Sequence, residues 1–170
     1  HQDEIDLAEL RKKVQEWYKI EYGNTPPSLA LKKQPEKYRV FKNKTPKTEE
    51  EKLIHYFETV SPLELLESRM GGGKVPPPDA KIIEELILDY ELLPGVVNVL
   101  IDFVLQRNDM KLSKPLIDKI AGHWKRKNIR TVPEAMALAK EEHRRSLEYR
   151  NKNADRPKLD KLPDWLKEDS

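Results

Sequence analysis

The chain has 170 residues, of which 36% are charged and 13 are proline, so one domain of ordinary size with flanking segments is the most it can build. It has no cysteine, which excludes a disulfide scaffold and a thiolate metal site and fits a reducing, cytoplasmic setting. The net charge of +2 hides a segregation: seven cations stand against one anion from Lys32 to Lys47, seven anions against two cations from Asp79 to Asp109, and fourteen cations against seven anions from Lys111 to Asp160.

The first residues, His1-Gln2-Asp3, lack a methionine and resemble no targeting peptide, which reads as a piece of a longer protein with an upstream domain. Asp3 is placed to cap a first helix whose Leu7, Leu10, Val14 and Trp17 recur three and four residues apart, ending near Gly23. Residues 1–23 therefore read as an amphipathic helix that belongs to or packs on that upstream domain, or pairs with another helix. Residues 24–47, with Pro26, Pro27, Pro35 and Pro46 among lysines, read as a basic linker. Tyr38, Val40 and Phe41 give that linker a means to clip onto a neighbouring surface.

A helical domain is expected from 48 to 150. Thr48 with Glu51 forms a capping box ahead of Leu53, Ile54, Phe57 and Val60, and Ser61, Pro62 and Glu64 repeat the start signal before Leu65 and Leu66. Gly71 to Gly73 end that short helix, and Arg69 and Lys74 ride on the following loop. This glycine run lacks the preceding strand and the Ser or Thr after lysine that a phosphate-binding loop requires. Asp79 is expected to cap a helix bearing Ile82, Ile83, Leu86, Ile87 and Tyr90. Pro94 opens the most apolar stretch, which is too short and too interrupted to span a membrane. These two helices should hold the core.

Ser113 is the expected N-cap of the next helix, in which Leu116, Ile120 and Trp124 recur at four-residue spacing and Ile117 joins the same side. Lys125, Arg126 and Lys127 crowd its last turn, where cations oppose the exposed carbonyls, and Arg130 follows. A tryptophan among mobile cations suits single-stranded nucleic acid, by stacking and phosphate neutralisation, and equally suits a packed core beside a solvated basic turn. The inward stripe favours packing. Thr131 and Glu134 begin a last helix running through Leu147, and residues 151–170 read as a disordered tail tipped by Leu162-Pro163-Asp164-Trp165-Leu166. The result is an all-α bundle of four to five short helices. Its isolated histidines suggest no metal site, no cofactor is implied, and the acidic residues of the Asp79 helix read as a solvated face, so no enzyme is expected.

The run from Leu93 to Lys140 resembles the C-terminal domain shared by the DnaD and DnaB primosomal proteins of Gram-positive bacteria, the latter a helicase loader and not the ring helicase. The resemblance covers about 48–150 and rests most on Ile120, Trp124, the basic turn and the Thr-Val-x-x-Ala start of the next helix. Leu116 stands where that family commonly has tyrosine. The resemblance implies an all-helical domain that binds single-stranded and also double-stranded DNA in replication initiation. It implies primosome proteins and the replicative helicase or its loader as partners, membrane-surface association, and homo-oligomers through the full-length protein. The family's motif falls here on Ile120 and Trp124; with Trp124, the cations of its basic turn, Lys125, Arg126, Lys127 and Arg130, are the expected DNA-binding residues, and the resemblance adds a second, tail-proximal element in His143, Arg144, Arg145, Arg150 and Lys152. The linker, acidic middle and Leu-Pro-Asp-Trp-Leu tip are more similar to the longer DnaB member. A nucleoid- and membrane-associated cytoplasmic protein follows from the same resemblance. The alternative is an assembly domain that makes no DNA contact.

Overall fold

In the computed structural model, residues 6–22, 30, 32–153 and 164–166 are described. They form seven α-helices: α1 (Leu7–Tyr22), α2 (Glu49–Thr59), α3 (Pro62–Arg69), α4 (Pro77–Leu88), α5 (Pro94–Arg107), α6 (Lys114–Lys127) and α7 (Val132–Asn153). Two 3-10 turns, Glu36–Tyr38 and Asp164–Leu166, complete the order, and no strand occurs among the described residues. The all-α class is as expected. Six helices, not four to five, fill the stretch from Glu49 to Asn153, because each proline or capping signal opens a helix of its own.

The starts explain themselves locally. Thr48 and Ser61 each accept a hydrogen bond from the backbone N–H three residues on, and Glu51 and Glu64 return the bond, so both capping boxes are complete. α4 departs from expectation. It begins at Pro77, whose fixed φ suits a first turn, and Asp79 lies inside that turn instead of capping it. Tyr90 falls beyond its end. Ser113 precedes α6 as expected, yet its side chain makes no capping bond. Asn128 ends α6 in the left-handed conformation, with φ 52°, a role this side chain tolerates.

α5 is the axis of the bundle. Every residue from Pro94 to Leu105 is buried, and α2, α3, α4, α6 and α7 all pack on it. A helix apolar on all sides has no solvated face to offer, so the others must enclose it. Its two buried polar side chains are tied. Asn98 donates through Nδ2 to the carbonyls of Phe57 and Val60, 2.8 Å each, and so closes the end of α2. Asp102 pairs with Arg69 Nε at 2.7 Å, which holds the loop-side end of α3 against the core.

Two segments expected to lie free are partly docked. Gln34, fully buried, accepts from the Gly95 N–H at 2.8 Å and donates to the Arg130 carbonyl at 2.7 Å. The Gly95 N–H is one of the donors that a helix start leaves unpaired, and a Cβ on Gly95 would lie 2.8 Å from Gln34 Oε1, so glycine is what admits this side chain. Glu58 accepts from the N–H groups of Val40 and Phe41, and Phe41 meets His55 edge-on at 6.4 Å. The segment from 32 to 41 is thus a strap over the bundle. Near the C-terminus, α7 continues to Asn153, and Leu166 is buried. Those apolar side chains gain more from the core than from water. The remaining tail, Asp3 and Gly23 lie outside the described residues.

Asp6 stands just before α1, and its Oδ1 accepts from the Ala8 N–H at 2.9 Å. Its Leu7, Leu10, Val14 and Trp17 are all exposed, by 47% to 67%. No helix among the described residues is long and apolar enough to cross a membrane.

Candidate nucleic-acid interface

α6 sorts its side chains by face. Ile117, Ile120, Ala121 and Trp124 are buried, while Lys119, His123 and Arg126 run along the flank towards α7. Leu116 is half-buried on that flank, so the core stripe is led by Ile117 and not by Leu116. From α7, Glu142, Arg145, Ser146 and Tyr149 form the opposite bank, and Arg107 at the end of α5 closes the floor. The cleft between them holds about 500 Å³.

Its electrostatics are one-sided. Arg107, Lys119, Arg126 and Arg145 line it, against Glu142 alone. Arg107 donates to the Ser146 hydroxyl and lies over the Phe103 ring at 5.7 Å, which fixes its position. Arg145 is paired with Glu141 along α7, and His123 Nε2 is 3.9 Å from Glu142. At the rim Tyr149 is 71% exposed, a ring with free faces beside cations. Cations and an exposed aromatic face are the two kinds of group by which proteins hold single strands, the first for phosphates and the second for stacking on a base of any identity.

Only Arg126 and Arg145, among the ten residues expected to bind DNA, line this cleft. Trp124 is fully buried, which leaves no ring face for a base. Its position instead anchors the basic turn that follows. Lys125 turns to the other side of α6, where it donates to the Asp89 carbonyl at 3.1 Å and faces Glu91 at 3.8 Å. A small hollow of about 160 Å³ there also borders Arg130. The Arg130 guanidinium bonds Asn128 and stands 6.0 Å from the Tyr38 ring of the strap. Lys127 is exposed, Arg144 is exposed and 3.5 Å from Glu148, Arg150 is half-buried, and Lys152 is exposed on the last turn of α7. His143 is buried in the core side of α7, which withholds it from solvent and from any strand in the cleft.

The cleft contains three groups that sequence reading passed over: Arg107, Lys119 and Tyr149. Lys119, His123 and Arg126 recur at helical spacing, and Tyr149 follows Arg145 by four residues, so each bank carries a periodic signal. Arg107 carries none, since only the fold brings it near. Arg69, expected to ride on the loop after α3, is instead the last residue of that helix and is held by Asp102. Burial pushes the Asp102 carboxyl above the usual carboxylate range, with Arg69 and the Trp165 indole working against it. No group of His, Asp or Glu among the described residues is arranged to hold a metal ion.

A family model described as replication initiation and membrane attachment matches residues 63–138. The replicative helicase loading/DNA remodeling protein DnaB of Staphylococcus aureus (strain NCTC 8325 / PS 47) is 32% identical over 139 residues, which cover 81% of this chain and 30% of that protein. The chain therefore spans less than a third of that relative's length. No solved structure matches it.

Proposed function

The chain belongs to the replication initiation and membrane attachment family, and from that premise we propose that it is a single-strand-preferring DNA-binding and partner-docking module of a primosomal helicase loader. Its work is binding, without a catalysed reaction. The observation that carries this reading is the cleft between α6 and α7, where four cations and the exposed Tyr149 surround a single carboxylate. Cations supply affinity through counterion release, and the tyrosine supplies a sequence-tolerant stacking face. Duplex DNA meets the same cations but offers no unstacked base, so it binds less well. The exposed Lys125, Lys127, Arg130 and Arg144 and the tail-proximal Arg150 and Lys152 extend the positive field around the site without sharing its cleft.

The test is strand affinity of Tyr149→Ala beside the parent chain. Loss of the ring should weaken single-strand binding by about 1–3 kcal/mol and leave duplex binding nearly unchanged. Equal losses on both, or none, would remove the stacking face from the reading.

A second reading, assembly, draws on the exposed apolar stripe of α1, which suits other primosome proteins, the helicase or its loader, or further copies of the full-length protein. Membrane-surface association draws on Lys32, Lys33, Lys42, Lys44 and Lys47, all exposed, as a basic segment for anionic lipid in a cytoplasmic, nucleoid- and membrane-associated protein. Sedimentation with anionic vesicles, repeated after alanine replacement of those lysines, checks that part.

A further inference from the structure

The tail turn Asp164–Leu166 sits on the bundle in the manner of a bound peptide. Trp165 meets Phe57 of α2 edge-on, with ring centroids 6.4 Å apart and planes at 80°, and its Nε1–H points to Asp102 Oδ2 at 3.4 Å. Leu166 beside it is only 2% exposed. The carboxylate that receives the indole is already held from its other oxygen by Arg69, so the receiving surface does not depend on the tail for its own order. An aromatic anchor, a buried aliphatic neighbour and one directed hydrogen bond are the elements by which short linear segments are recognised.

We propose that the surface formed by Phe57, Arg69 and Asp102 is a docking site for a short peptide in which tryptophan precedes an aliphatic residue, filled here in cis by Trp165–Leu166 and open to the same segment of a second copy. The connection makes exchange feasible. No residue of α7 beyond His143 is buried, and the ten residues 154–163 separate its end from the turn. Ten residues reach roughly 35 Å when fully extended, a span that sets the outer limit of where the segment can be delivered. A chain that carries both the site and its ligand can pair with itself or with another copy by trading an identical element. This inference is independent of DNA.

The experiment uses the full chain with Trp165→Ala and Leu166→Ala together, which empties the site, and a fluorescent peptide of residues 160–170. The peptide should bind the double variant and bind the parent at least about tenfold more weakly, because the tethered tail competes at an effective concentration near millimolar. The same peptide with its tryptophan replaced by alanine should not bind. Equal affinity for variant and parent, no binding to a variant that keeps its thermal transition, or indifference to the peptide's tryptophan would each overturn the proposal. Should the double variant lose its transition, Trp165→Ala alone is titrated under the same criteria.

Discussion

Trp124→Ala separates the packing role of the α6 tryptophan from a role in touching bases. The side chain is fully buried and sits in line with Ile117, Ile120 and Ala121. An indole buries about 200 Å², which at about 25 cal/mol per Å² corresponds to roughly 5 kcal/mol. Its Nε1–H has no acceptor among the described residues, and a buried unpaired donor offsets about 1–2 kcal/mol of that. A net loss of about 3–4 kcal/mol is therefore expected, in the range usual for such truncations. On a domain of this size that lowers the melting temperature by more than about 12 °C. Trp124→Phe keeps most of the area and removes the unpaired donor, so it should cost within about 1 kcal/mol. Chemical denaturation and single-strand affinity are measured on the same preparations. An alanine variant that keeps the parental melting temperature but loses strand binding would refute the reasoning and return the ring to the DNA.

Removing Arg126 and Arg145 together as alanines should weaken single-strand binding more than removing Lys125 and Lys127, because only the first pair lines the cleft. Titrated against salt, the first pair should also flatten the log-log slope by about 1.4, two phosphates' worth. Gly95→Ala should destabilise by about 1–3 kcal/mol despite the better helix propensity of alanine, since its Cβ would meet Gln34 and Val132 at 2.8 Å; denaturant midpoints check this. Asp102 has a folded-state pKa raised above its ordinary value of 3.8, so its ionisation opposes folding, and stability from this group rises as pH falls from above the folded value towards 3.8. The stability difference between parent and Asp102→Asn should accordingly shift in the parent's favour between pH 7 and pH 4, and a flat difference would contradict the burial argument.

Much of the fold was legible because its signals are local. Both capping boxes lie within four residues, and the apolar run of α5 states its own burial. The α4 start was misplaced because aspartate and proline both mark beginnings, and here the prolines at 77 and 78 come first. Gln34 was illegible for a different reason: an amide buried between Gly95 and Arg130 carries no apolar pattern, and its partners lie 61 and 96 residues away. The cleft shares that difficulty. Arg126 and Arg145 stood out as members of basic runs, but charge runs could not tell the side of α6 that faces α7 from the side that faces Asp89. Trp124 belonged to the core by its spacing, and the fold places it there.

The most direct measurement is the salt dependence of single-strand affinity for the unmodified chain. Four cations in the cleft, each neutralising one phosphate, give an expected slope of log affinity against log salt of about −2.8. A slope near zero, with affinity held across the same range, would contradict a cleft that binds by charge and leave assembly as the function of this domain.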